Sequence, residues 1–243
     1  MQNYIFIFLI TMCGAFVQRV SGFGFGIVAM FVLPYCAPSY GEATSLSGLS
    51  SMPFTWAVAI KRIKKINWKI VIYPIISSTI LKFSCTPILT HVGDTSVFKR
   101  ALGAFFIVLS LYFIFFAKKI KIKPSVGAGL FCGVFSGILD AFFAMGGPPM
   151  VIYYTAATGD DKEEYLSSIQ AYFAISGLIS LIVRAVNGLV TADVLMLWPI
   201  GLLGAAIGHF AGMKLFRHIK PDLLKKIIYG IMIVFGLISL IKG

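Results

Sequence analysis

Two of the longest apolar runs in this chain are broken in the middle by residues that a membrane helix tolerates badly. The run 4–34 contains Ser21-Gly22-Phe23-Gly24-Phe25-Gly26, and the run 124–156 contains Met145-Gly146-Gly147-Pro148-Pro149. Glycine and proline there release backbone N–H and C=O groups that hydrocarbon cannot satisfy. Such backbone survives only where it is buried in protein or borders a polar cavity. Breaks at matching places in two halves of a polytopic chain are the strongest sequence pointer to the substrate site of a secondary transporter.

Composition sets the solvent. The chain has 243 residues, 58% hydrophobic and 12% charged, with mean hydropathy +0.92. A soluble domain carries about 25% charged residues, so these values imply an integral membrane protein with no room between runs for a soluble catalytic head. The formal charge of +12 comes from Lys and Arg in short loops. That is the topogenic pattern of cytoplasmic loops rather than a nucleic-acid surface. Cys13, Cys36, Cys85 and Cys132 are far apart and have neither disulfide nor zinc spacing. The start of the chain lacks the basic region of a signal peptide, so the first apolar segment is expected to be retained.

The runs fall at 4–34, 42–60, 70–90, 101–117, 124–156, 165–183, 194–213 and 227–241. About 20 residues cross the hydrocarbon core, so six are ordinary spans and the two broken ones are too long for one crossing and too short for two. Glu42-Ala43-Thr44-Ser45 aligns with Glu164-Tyr165-Leu166-Ser167, Tyr73-Pro74 with Trp198-Pro199, and Lys99-Arg100 with Lys225-Lys226. This order predicts an all-α polytopic membrane protein of eight membrane segments in two four-segment repeats, 1–120 and 121–243. If every run crosses once from a cytoplasmic N-terminus, the Lys and Arg outside the runs divide 11 inside to 8 outside. If 4–34 and 124–156 are re-entrant, the division becomes 15 to 4, loops 61–69, 118–123 and 214–226 are cytoplasmic, and the repeats are inverted. A broken full-length span in each half is the other arrangement.

Chemistry then centres on the breaks. A half-helix beginning at a glycine turn presents unpaired N–H groups and a partial positive charge. The spacing predicts such starts over 26–34 and 149–156, which would converge on a small anion. The plainer reading of these glycines is close helix packing. Ionisable residues at membrane depth are functional hypotheses by default. Arg19 precedes the first break and could grip an oxyanion through two hydrogen bonds. Asp140 precedes the second, either as a proton-coupling carboxylate or as a partner for Arg19. Lys82 lies mid-run, making a functional contact or snorkelling to an interface. Thr44, Ser45, Ser47, Ser50 and Ser51 have partly helical spacing and either line a path or join helices. Ser167, Ser168 and Gln170 occupy the similar place in the second half. The Gly201, Gly204, Gly208, Gly212 stripe reads as close packing, and Asp160, Asp161, Glu163 and Glu164 as a solvated turn and helix start. His91, His209 and His218 form no metal constellation.

The chain resembles the TauE/SafE family of membrane transporters, named for sulfite export. The resemblance rests on Ser21-Gly22-Phe23-Gly24-Phe25-Gly26, Ala43-Thr44-Ser45-Leu46, Ile66-Asn67-Trp68, Gly146-Gly147-Pro148-Pro149 and Gly204-Ala205-Ala206-Ile207-Gly208. It implies eight segments in two repeats and movement of a small sulfur oxyanion or organosulfur anion, directed outward. The expected substrate-binding residues are Arg19, Ser21, Gly22, Phe23, Gly24, Phe25, Gly26, Thr44, Ser45, Met145, Gly146, Gly147, Pro148 and Pro149, with Asp140 and Lys82 for ion or proton coupling. The expected partners are a small anion, a coupling proton or cation, and the bilayer of the cell (inner) membrane. No cofactor, metal, nucleic acid or enzymatic activity is expected, and association as a homodimer is left open. An anion channel and a polytopic enzyme acting on a lipid are the alternative functions.

Overall fold

The structure is a computed structural model that describes residues 2–91, 95–115, 123–215 and 221–242. Most of loop 118–123, the stretch 216–220 of loop 214–226, and His218 with it, lie outside the described residues. Among those described, the chain is all helix and turn: α1 (Gln2–Ser21), α2 (Phe25–Ala29), α3 (Leu33–Cys36), α4 (Tyr40–Lys61), α5 (Trp68–Cys85), α6 (Ile88–His91), α7 (Thr95–Phe115), α8 (Val126–Phe143), α9 (Gly147–Thr158), α10 (Lys162–Val186), α11 (Ala192–Leu215) and α12 (Pro221–Lys242).

Helix starts follow from local chemistry. Ser39 accepts from the Glu42 N–H at 3.2 Å to open α4, and Ser125 accepts from the Ala128 N–H at 3.1 Å to open α8. Asp161 accepts from the N–H groups of Glu163 and Glu164, each at 3.0 Å, to open α10. These bonds satisfy donors that the first helical turn leaves orphaned. The acidic cluster at 160–164 is therefore the solvated helix start that its composition suggests.

Among the described residues, six helices are long and apolar enough to cross a membrane: those within Asn3–Ser21, Trp68–Thr90, Ser96–Phe115, Val126–Phe143, Lys162–Val186 and Ala192–Lys214. Of these α10 is the central one, with 61% of its apolar window buried against 28–39% for the others. Helix α4 is as long, 22 residues or about 33 Å, but its apolar pattern is diluted by a row of buried serines. It packs against α10 at the centre of the bundle. The outer helices turn Ile76, Ile80, Phe83, Leu203, Ile207 and Phe210 outward, an apolar surface suited to lipid rather than to water.

Packing joins the two halves rather than separating them. Helix α1 packs on α11 and α5 on α8, α4 on both α10 and α11, α10 also on α5, and α7 on α12. Each of these pairings crosses from one half to the other, and exchanging the halves maps one pairing onto another. Two side-chain bonds follow the same exchange. The Thr191 hydroxyl donates to Glu42 at 2.5 Å, and the Asn67 amide donates to Glu164 at 2.7 Å. The small residues that let these helices approach are the α11 glycines, with Gly204, Gly208 and Gly212 pressed on α1, and Gly133 and Gly137 of α8 pressed on α5. The α11 stripe is packing, as expected; the α8 stripe has the same spacing and was overlooked in the sequence.

Both broken runs fold back on themselves. After α1 the chain reverses at Gly22–Gly24, so that Phe25 lies beside Gly14 and Gly24 beside Val17. After α8 it reverses at Ala144–Gly146, bringing Gly146 beside Ser136 and Asp140, and Tyr153 beside Gly129. Gly22 (φ 83) and Gly24 (φ 102) supply the left-handed backbone of the first turn, which glycine adopts without a Cβ penalty.

The return limbs differ from the half-helices expected at 26–34 and 149–156. In the first half the limb is two short pieces, α2 and α3, separated by a turn at 30–32; Pro34 lies in the first turn of α3, where a missing N–H costs nothing. A helix of five residues sums little dipole, so the N–H groups of the turn act individually. In the second half α9 begins at Gly147, two residues earlier than expected, and Pro148 and Pro149 remove two of its free donors.

In the second turn the left-handed position is Ala144 (φ 54, ψ 33), not a glycine. An L-residue pays about 1–2 kcal/mol there. Ala144→Gly is expected to raise folding stability by about 1 kcal/mol, read as a higher midpoint in denaturant or thermal unfolding of the purified protein. An unchanged or lower midpoint would show that the turn is relaxed with alanine.

Candidate functional site

The two turns meet. A Cβ at Gly26 would overlap the carbonyl oxygen of Ala144, and Phe23 lies against Gly147. Between them is a cavity of about 100 Å³, bordered by Phe23–Ile27 and Ala144–Gly147 and by the middle of α4 and α10. That space admits several waters or one small polyatomic ion.

The walls supplied by the two central helices are polar at helical spacing. From α10 come Tyr172, Ser176, Ser180 and Arg184, each four residues from the last; from α4 come Ser47, Ser51 and Thr55 with the same step. Residues i and i+4 share a helix face, so each helix turns one stripe to the cavity. Ser136 of α8 ties the second turn to this wall: its hydroxyl donates to the Gly146 carbonyl at 2.5 Å and meets the Tyr172 hydroxyl at 2.8 Å.

At the edge of the cavity is a buried charge cluster that the sequence did not join. Asp140 faces Lys82 Nζ at 3.1 Å and Arg184 Nη2 at 4.0 Å, and it accepts from the Ser180 hydroxyl. Lys82 also donates to the Ser176 carbonyl at 2.7 Å and to its hydroxyl. Arg184 donates to the Asp140 backbone carbonyl at 2.6 Å. The Lys82 and Arg184 side chains are each 2% exposed. Gly48 makes room for Arg184, since a Cβ there would come within 3.5 Å of Nη1. Two cations against one carboxylate leave a net +1, and the Arg184 Nε–H is buried without an acceptor among the described residues. An uncompensated buried cation with a free donor is costly unless an anion joins it.

The expected site residues divide between this cavity and a neighbouring one. Phe23, Gly24, Phe25, Gly26, Met145, Gly146 and Gly147 border the central cavity, with Asp140. Arg19, Ser21 and Gly22 border a second cavity instead. Pro148 and Pro149 open α9 without bordering either space.

Three expectations need correction. Asp140 pairs with Lys82 and Arg184, not with Arg19, because Arg19 follows α1 to the other cavity. Lys82 does not snorkel; its ammonium is held in the bundle by Asp140 and Ser176. Thr44 and Ser45 are fully buried, each donating to the Gly41 carbonyl, at 2.7 and 3.3 Å, while Ser47 and Ser51 on the same helix face the cavity. Arg184 was missed because the apolar run ends at 183, whereas the helix continues to Val186 and carries the arginine inward. The step from Tyr172 through Ser176 and Ser180 to Arg184 was the signal that could have found it.

Comparison with known proteins places the chain among membrane transporters. It is 24% identical over 193 residues to a protein of Methanocaldococcus jannaschii described as a probable membrane transporter protein, covering 74% of this chain and 71% of that one. No solved structure matches it. Residues 7–238 match the family model described as Sulfite exporter TauE/SafE, and with an all-helical, multi-pass architecture and two helical hairpins closing on one cavity, the chain belongs to that family of membrane transporters.

Proposed function

We propose that this protein is a secondary transporter that exports a small sulfur-containing or organic anion, such as sulfite or a sulfonate, through the cavity between its two hairpin turns. The observation that carries this reading is the buried cluster of Lys82, Asp140 and Arg184, which has a net charge of +1 and borders, through Asp140 and Arg184, a cavity sized for a small anion. The anion takes the Arg184 guanidinium, the Ser47 hydroxyl and the individual N–H groups of the turns, and gains the Ser180 hydroxyl when Asp140 gives up its hydrogen bond. A charge-assisted, partly bidentate grip of this kind suits an oxyanion.

In this reading Asp140 is the competing anion. When it is ionised it holds Lys82 and shares Arg184; when it is protonated both cations are free for substrate. Proton coupling at Asp140 then links anion capture and release to pH. The eight segments form two inverted repeats with the hairpins as their re-entrant first segments, and loops 61–69, 118–123 and 214–226 face the cytoplasm of a cell-membrane protein. Alternating access moves the hairpins against the α4–α10 pair. An anion leaving a negative interior gains about 2.3 kcal/mol per charge per 100 mV, so export is downhill.

Counterflow of sulfite and of methanesulfonate in proteoliposomes tests the reading. The wild-type protein is expected to exchange one of them saturably, and Arg184→Gln to lose at least about 90% of the rate, since a charge-assisted bond contributes about 1.5–3 kcal/mol. Arg184→Gln exchanging at the wild-type rate would remove the cluster from the transport path.

A further inference from the structure

A second cavity of about 150 Å³ adjoins the first, at the C-terminal end of α4. The two spaces share Gln18 and Thr55, whose hydrogen bond stands at their common boundary. Arg19 of α1, Arg62 just past the end of α4 and His209 of α11 border the second cavity, and no Asp or Glu is among its described lining residues.

The other polar groups there are already committed. The Ser21 hydroxyl donates to the Val17 and Phe23 carbonyls at 2.8 and 2.6 Å, and the Gln170 amide donates to the Gly22 carbonyl at 2.7 Å. His209 stacks on Phe54 with ring centroids 5.0 Å apart. Arg62 reaches an acid only loosely, at 3.9 Å from Glu163, with its own side chain 32% exposed. Arg19, half-buried, has no hydrogen-bond acceptor or ion-pair partner among the described residues. Two guanidiniums therefore share a pocket that contains no acceptor of matching charge. Like charges held together in partial desolvation repel, and an anion between them converts that repulsion into paired bonds.

We propose that this pocket is a second, weaker anion site that loads the central cavity. The inference rests on the reading of the central cavity as the transport site. Small oxyanions are held by Arg19 and Arg62 and pass to the cluster at Arg184 when the Gln18–Thr55 bond opens. Because the pocket is partly solvated, its hold is weaker than that of the central cluster and falls more steeply with ionic strength.

Equilibrium binding of radiolabelled sulfite to the purified protein, together with sulfite flux from vesicles of phosphatidylcholine alone, tests both sites in one series. The wild type is expected to bind two anions per chain. Arg19→Gln should lose the weaker binding event and raise KM about tenfold while the maximal rate is retained, and Arg19→Lys should recover part of that loss. Arg184→Gln should lose the tighter event and the flux but keep the weaker one. Arg62→Gln provides an independent variant should Arg19→Gln fold poorly, and is expected to raise KM in the same direction.

One binding event in the wild type, or unchanged KM in the two pocket variants, overturns the second site while leaving the central one standing. Retention of flux and tight binding in Arg184→Gln overturns the central reading instead, and absence of any sulfite binding to the wild type overturns both. The same guanidiniums could pair with lipid phosphate, so the series is repeated with one third phosphatidylglycerol. A KM effect of Arg19→Gln that occurs only with that anionic lipid assigns the arginines to headgroups and overturns the loading site.

Discussion

Replacing Asp140 by alanine is expected to cost about 3–5 kcal/mol of folding stability, the penalty for leaving buried cations without their counter-charge. Lys82 and Arg184 are both almost fully enclosed, and Asp140 is the carboxylate that faces them. The same change should make the protein depend on added anion. Sulfite or another small oxyanion entering the cavity would supply the missing negative charge, and binding to the folded state alone raises stability by mass action. Thermal unfolding with and without anion reads both effects: a large drop in the midpoint, and a larger anion-dependent recovery than in the wild type. The double change Lys82→Met with Asp140→Leu, which removes a cation and the carboxylate together, should recover much of the lost stability, because an apolar pair avoids the cost of burying charge. If Asp140→Ala is as stable as the wild type, the cluster is solvated and the site as described is wrong.

Gly26→Ala is the second large effect. Its Cβ would overlap the Ala144 carbonyl oxygen, a backbone atom of the opposite turn that has no rotamer by which to yield. The two hairpins must separate, at the cost of overpacking, about 1–3 kcal/mol, and the cavity that their contact closes must open. Anion binding is expected to fall at least tenfold, measured by titration of the purified variant. Gly147→Ala is the matched control, since its Cβ would meet Phe23 and Phe173 at 3.5 and 3.6 Å, ordinary contact distances. Binding retained in Gly147→Ala and lost in Gly26→Ala would place the function in the junction of the turns. Equal behaviour of the two variants would deny that junction a special role.

How much of this could be read beforehand depends on whether the information was local. Membrane residence follows from composition, and the hairpins follow from glycine and proline at apolar depth, since no straight helix accommodates Gly22 and Gly24 at positive φ. That the broken runs reverse rather than continue was one of two arrangements left by the count of basic residues. The lengths of the return limbs were illegible because nothing in Gly26–Pro34 announces the turn at 30–32 that ends α2 after five residues. The polar stripe on α4 was visible, but not its phase: Ser47 and Ser51 border the cavity, whereas Thr44 and Ser45 bond back to their own helix. Lys82 and Asp140 were each singled out as charges at depth. Their union with Arg184 was not readable, because positions 82, 140 and 184 are brought together by the crossing of α5, α8 and α10, a tertiary fact with no period along the chain. Arg19 was assigned to the same anion as the breaks, yet α1 carries it past the turn to the neighbouring cavity.

Thermal stabilisation of the wild-type protein and of Arg184→Gln by a panel of small anions, sulfite, sulfate, sulfonates and short carboxylates, is the most direct test of the cavity between the hairpins as an anion site. A selective rise in the wild-type midpoint that is largely lost in Arg184→Gln is the expected result. No rise with any anion, or the same rise in both proteins, would contradict it.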